Sequence, residues 1–172
     1  MTAFPPSLIL ELTAKCNFSC PFCYCPWHEY GCTVPDDMQT HKWKNILDKC
    51  ASSDVKNITF SGGEALLRKD LAELISYASM IMPETKLGVF TNGSLLTKEF
   101  FFFCKNHNIS LCTSLQGLKT FREMTGSDFD YQDILDNLAF AAENDHPMDI
   151  SLTASKINYS EFAKMFQACC LS

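Results

Sequence analysis

Apolar positions along this chain switch repeatedly between two periods. Short β-like runs fall at Leu8 to Leu12, Asn57 to Ser61, Leu87 to Thr91, Ile109 to Leu115 and Ile150 to Thr153. Between them the spacing is helical. Trp43, Ile46, Leu47 and Cys50 share one face of a first helix, which Asp36 or Asp37 can cap. Leu71, Leu74, Ile75 and Ala78 stripe a second over about 70–82, which Pro83 stops. Thr97 is a suitable cap for a third helix, rich in phenylalanine. A longer connection leads to a helix over about 131–144, striped by Ile134, Leu135, Leu138 and Ala142. Asn158 with Glu161 reads as a capping box for a last helix, with Phe162, Met165, Phe166 and Cys169 on one face. A β-α unit written five times predicts an α/β fold, a parallel sheet with right-handed crossovers. In such sheets function gathers at the carboxyl ends of the strands.

Composition narrows the picture. A chain of 172 residues, 47% hydrophobic, suits one domain with a sizeable core. The net charge of -6 disfavours nucleic acid and anionic membrane as partners. The apolar block Phe100 to Cys104 is far too short to span a bilayer, and no basic stretch precedes the first apolar residues. The expected location is therefore cytoplasmic. Ten cysteines then call for metal or cluster binding, or plain burial, rather than disulfides.

Four of the ten crowd into Cys16, Cys20, Cys23 and Cys25, on the loop after the first β run. Thiolates at Cys16, Cys20 and Cys23 can reach one metal centre, and thiolate is the usual ligand of iron–sulfur clusters. Three ligands on a four-iron cubane leave one iron open, as a catalytic centre requires (compare the open position of catalytic zinc). Structural zinc is the competing reading, with Cys25, Cys32 or His28 as the fourth ligand. A thioredoxin-like use of Cys20-Pro21-Phe22-Cys23 would need a different topology.

The spacing Cys16-x-x-x-Cys20-x-x-Cys23 after a first strand, with Tyr24 beside the third cysteine, resembles the signature of the radical SAM superfamily. Phe60-Ser61-Gly62-Gly63-Glu64 resembles the family's G-G-E segment, and Thr91-Asn92-Gly93 follows the third run. Ser114-Leu115-Gln116-Gly117, with Thr125-Gly126 and Phe129, is similar to the peptide- and protein-modifying branch with SPASM-type C-terminal domains. The resemblance covers about residues 8–153.

It implies a partial (β/α) barrel with about five of the usual six β-α units, so residues 1–172 read as one radical SAM core, incomplete at its C-terminus. It implies a 4Fe-4S cluster on Cys16, Cys20 and Cys23, and S-adenosyl-L-methionine (SAM) chelated to the open iron. The reduced cluster cleaves SAM to a 5′-deoxyadenosyl radical, which takes hydrogen from a substrate; the fourth segment leans toward a peptide or protein side chain. A flavodoxin or ferredoxin is the expected reductant. The cofactors carry the chemistry and the protein positions them. A non-catalytic zinc or iron–sulfur module is the alternative.

Gly62 and Gly63 would let backbone approach SAM closely, and Glu64 suits its cationic amino group. Taken alone, Gly62 to Glu64 also fit a plain turn and helix start. Asn92 is a SAM-side candidate, though Asn-Gly is also a hairpin pair. Ser114 fits a SAM contact or a satisfied barrel serine. Gln116 stands where the family has aspartate, and Arg122 fits the family's arginine poorly. Cys50, Cys104, Cys112 and Cys169 are read as packed small hydrophobes. An unpaired parallel edge predicts self-association.

Overall fold

Five strands form in the order in which the sequence alternates: β1 (Ser7–Glu11), β2 (Asn57–Ser61), β3 (Lys86–Thr91), β4 (Ser110–Ser114) and β5 (Asp149–Ser151). They make one sheet whose spatial order follows the chain, with every pairing parallel. The computed structural model describes residues 5–24 and 37–171. Its helices are α1 (Thr40–Ala51), α2 (Leu71–Ile81), α3 (Lys98–Asn106), α4 (Phe121–Thr125), α5 (Tyr131–Glu143) and α6 (Phe162–Leu171).

The register sets the strand ends side by side. Glu11 lies beside Ser61, Thr91 beside Thr113, and Ser114 beside Ser151. The loops after the strands therefore emerge at one end of the sheet. Alternate residues face the helices: Ile58 and Phe60 of β2 and Val89 of β3 are buried. The other face stays open. Parallel sheets are normally covered on both faces, yet Ile9 is 62% exposed and Phe90 41%. Residues from all five strands line one cleft of about 670 Å³, so the sheet curves around it as a partial barrel does.

Two apolar clusters support this curve. The larger joins α1, α2 and α3 to the sheet through Leu47, Leu74, Ile75 and Phe101. The smaller joins Phe18 of the cysteine loop to Leu115, Phe121, Ile134 and Met165. Among the described residues, no helix is long and apolar enough to cross a membrane.

Several local expectations are corrected. Asp36 lies outside the described residues. Helix α1 starts after Gln39, and Asp37 pairs instead with Lys15 at 3.1 Å. The connection after β4 contains an unforeseen helix, α4, ended by Gly126 in the left-handed conformation. On α5 the buried alanine is Ala141, not Ala142, and Phe166 of α6 is 58% exposed. The capping box at 158–161 does not form. Asn158 is wholly buried and makes no side-chain cap bond, because its Oδ1 accepts from the Ser155 amide at 2.8 Å, while Glu161 accepts from the distant Leu118 amide and Thr120 hydroxyl. Thr97 does cap α3, accepting from the Phe100 amide. Within that phenylalanine run, Phe101 is core and packs edge-on against Phe140 at 5.2 Å.

Candidate functional site

The cysteine loop leaves β1 and is clamped from two sides. On one side the β1–β2 ladder continues past the strands: Leu12 donates to Ser61, Gly63 to Thr13 and Glu64 to Lys15, each at 2.8 Å. These bonds fix the chain up to the residue before Cys16. A Cβ on Gly63 would sit 2.3 Å from the Lys15 carbonyl oxygen, and one on Gly62 2.5 Å from that of Thr13. The glycine pair is therefore demanded by the approach of the cysteine loop itself. Both glycines also line the cleft.

On the other side the Ser19 amide donates to the Thr125 carbonyl at 2.9 Å. Phe18, 3% exposed, packs edge-on against Phe121 and tilted against Phe129, with centroids 6.2 and 6.1 Å apart. Thr125, Gly126 and Phe129 thus meet the cysteine loop directly. A Cβ on Gly126 would lie 2.8 Å from the Ser19 carbonyl oxygen.

Glu64 is 1% exposed, next to the cleft-lining Gly63. Its carboxylate accepts from the Leu66 amide at 2.9 Å, the Thr91 hydroxyl at 2.8 Å and the Asn92 amide at 2.6 Å. Burial raises its pKa above the usual carboxylate range, and these three donors oppose the rise. Glu64 therefore braces the ends of β2 and β3. Asn92 does line the cleft. Its side chain accepts from the Ser94 amide and hydroxyl, and donates to Asn17 at 2.9 Å. No hairpin follows Asn92-Gly93. Gly93 takes φ +82°, and a Cβ there would meet the Thr113 hydroxyl at 2.6 Å.

Ser114 lines the same cleft from the end of β4. Beyond it, the Gln116 side chain accepts from the Thr153 amide at 2.9 Å. Asn158 donates to the Gln116 and Thr153 carbonyls, each at 2.8 Å. The residue in the aspartate position thus ties the end of β4 to the segment after β5. Arg122 is on the surface, paired with Asp128 at 2.8 Å. Cys50 and Cys104 are buried as expected, but Cys112 faces the cleft rather than a packed core.

Cys16, Cys20 and Cys23 all line the cleft, together with Gly62, Asn92 and Ser114. Among the described residues, no three His, Cys, Asp or Glu side chains already converge as a single-ion site. Cys25, Cys32 and His28, the further ligands of the zinc reading, lie outside the described residues. The donor chemistry fits an iron–sulfur cluster. Burial, then the neighbouring Cys16 and Cys23, pushes the Cys20 thiol up to about 11, and Cys16 is raised as well, mainly by burial. Thiols that oppose one another's ionisation are suited to a cation that neutralises them. The Cys16 sulfur also accepts from the Phe18 amide at 3.4 Å and from Asn92 Nδ2 at 3.9 Å.

Sequence reasoning missed several supporting residues. Arg68, 8% exposed, forms a fork with Asp70 at 2.9 and 2.6 Å and donates to the Leu12 carbonyl at the end of β1 and to that of Met38. Asn17, Ser94, Phe18, Asn158 and Glu161 were also unassigned to the site. Asn17 and Phe18 had a signal, since they lie between Cys16 and Cys20. Arg68, Ser94, Asn158 and Glu161 each also have a partner tens of residues away, which no local pattern announces.

The family model of the Radical SAM superfamily matches residues 10–169. The sporulation killing factor maturation protein SkfB of Bacillus subtilis (strain 168) is 29% identical over 167 residues, 96% of this chain and 40% of the relative. A PqqA peptide cyclase of Xanthomonas oryzae pv. oryzae is 38% identical over 94 residues, 54% of this chain and 23% of the relative. Streptococcus suis SuiB bound to S-adenosylmethionine superposes with a TM-score of 0.82 at 20% identity, covering 97% of this chain and 38% of that one. The chain thus spans about two fifths or less of the length of these proteins. The match over residues 10–169 shows that the chain belongs to the radical SAM superfamily.

Proposed function

We propose that this chain is the cluster- and SAM-binding core of a radical SAM enzyme that modifies a peptide or protein. One observation carries the reading. Cys16, Cys20 and Cys23, the Gly62–Gly63 pair, Asn92 and Ser114 come from four separate loops and strand ends and line one cleft. Cys16, Cys20 and Cys23 would hold three irons of a 4Fe-4S cluster. Gly62, Gly63, Asn92 and Ser114 form the wall against which SAM would lie, with Glu64 supporting it from behind. When bound, the two cofactors supply reductive cleavage of a carbon–sulfur bond and removal of a hydrogen atom from substrate.

The chain's own part is placement. The clamps at Gly63 and Thr125 fix the cysteine loop, and the open sheet face leaves room for a substrate beside it. That face carries Ile9, Phe90 and Cys112 with Glu11, a mixed surface suited to a side chain rather than to a polyanion. A peptide substrate is supported by the relatives. SkfB is a maturation protein, the Xanthomonas protein a peptide cyclase, and SuiB is seen with its precursor peptide SuiA. A flavodoxin or ferredoxin as reductant and a cytoplasmic setting accord with this chemistry.

The test is anaerobic reconstitution with iron and sulfide, then dithionite and SAM, with 5′-deoxyadenosine measured by mass spectrometry. The reading expects 5′-deoxyadenosine from the wild type and none from Cys20→Ala. Release that persists in Cys20→Ala would sink it.

A further inference from the structure

We propose that the Asn92 side-chain amide is a positioning group for the Cys16 sulfur. It is locked in one orientation by a hydrogen-bonded ring through Ser94 and Asn17, and it raises the reduction potential of a cluster held there. The inference rests on the cluster reading above and goes beyond it to one ligand.

The orientation follows from donor and acceptor chemistry. Asn92 Oδ1 accepts from the Ser94 amide at 3.0 Å and from Ser94 Oγ at 2.6 Å. A backbone N–H can only donate, so that end of the amide has to be the oxygen. Nδ2 then faces the other way. One of its hydrogens goes to Asn17 Oδ1 at 2.9 Å, and the other faces Cys16 Sγ at 3.9 Å. Asn17 Nδ2 closes the ring by donating to Ser94 Oγ at 2.8 Å. Each of the three side chains donates to the next. Below the ring, Glu64 holds the Asn92 amide at 2.6 Å, so the backbone is pinned too.

The Cys16 sulfur thus faces two N–H dipoles, one from the Phe18 backbone at 3.4 Å and one from Asn92. Reduction adds negative charge to a cluster and its thiolates. Donors aimed at a ligand sulfur stabilise the reduced form and raise the potential. At 3.9 Å the Asn92 contact is the weaker of the two, but it is the one a substitution can remove.

The experiment is an anaerobic redox titration of the reconstituted full chain, followed by electron paramagnetic resonance, for the wild type, Asn92→Leu, Ser94→Ala and Ser94→Thr. Asn92→Leu is expected to keep its iron but shift the midpoint to more negative potential. The ratio of reduced to oxidised cluster at fixed potential should change by up to about tenfold, which is 59 mV for a one-electron couple. Ser94→Ala should shift the same way by less, and Ser94→Thr, which keeps the hydroxyl, should stay at the wild-type value. Wild-type midpoints in fully loaded Asn92→Leu and Ser94→Ala overturn the inference alone. If Asn92→Leu takes up no cluster, the Ser94 pair decides: Ser94→Ala equal to Ser94→Thr overturns it. A wild type that takes up no four-iron cluster overturns both this inference and the reading beneath it.

Discussion

The two clamps on the cysteine loop work by different physics. The clamp at Gly62 to Glu64 is backbone pairing, an extension of the β1–β2 ladder closed by two glycines with no room for a Cβ. Behind it lie buried ionic groups, Glu64 and Arg68, each with every contact inside the fold. The clamp at Thr125 to Phe129 is a single amide bond plus the ring of Phe18 among other aromatics. Behind that lie Asn158 and Glu161, whose side chains reach back about forty positions to hold the segment before α4. One side of the loop is thus fixed by sequence neighbours of the strands. The other is fixed by packing and by long-range side-chain bonds.

Arg68→Met should break the first clamp most severely. It strips a buried guanidinium from Asp70 and from the Leu12 carbonyl, and breaking such a pair costs about 3–5 kcal/mol. The Arg68 hydrogen bonds hold the Asp70 carboxyl below the usual range, against the effect of burial. A depressed carboxyl contributes stability above its unfolded value and loses it as pH falls through the folded one. The deficit of Arg68→Met in urea unfolding should therefore be largest near neutral pH and shrink in acid. A deficit independent of pH would remove Asp70 from the account.

Phe18→Ala tests the second clamp, at about 3 kcal/mol for a buried aromatic with incomplete collapse. Because Phe18 lies between Cys16 and Cys20, reconstituted iron should fall as well. An unchanged iron content would show that this clamp is dispensable for the ligands. Asn158→Ala sharpens the contrast further out. It leaves the Gln116 and Thr153 carbonyls unpaired, for about 1–3 kcal/mol by thermal unfolding, with iron uptake retained. Glu161→Gln should be mildest, about 1 kcal/mol, since an acceptor remains for Leu118 and Thr120.

The same contrast explains what could be read in advance. The five alternating units, the parallel sheet and the cleft at the strand ends followed from apolar periodicity, the candidate cysteines from their spacing, and Gly62–Gly63 from the resemblance of their segment to the family's. These are local patterns. Thr125, Gly126 and Phe129 were visible as a weaker pattern, and their contact with Ser19 and Phe18 gives it a physical cause. The 158–161 segment was misread because a local capping rule matched its letters. Asn158 Oδ1 accepts from Ser155 instead, and its Nδ2 and the Glu161 carboxylate meet Gln116 and Thr120, which only tertiary structure brings near. Arg68 was silent for the same reason. Glu64 was read as a partner for the SAM amino group, and its further bonds to Thr91 and Asn92 at the end of β3 had no local signal.

The central claim is that Cys16, Cys20 and Cys23 hold a four-iron cluster with one iron left for SAM. The most direct measurement is electron paramagnetic resonance of the anaerobically reconstituted, dithionite-reduced chain before and after SAM is added. The account predicts a cubane signal that changes shape with SAM and is lost in Cys20→Ala. A protein that holds zinc in place of iron, or a cluster signal that SAM leaves unchanged, would contradict it.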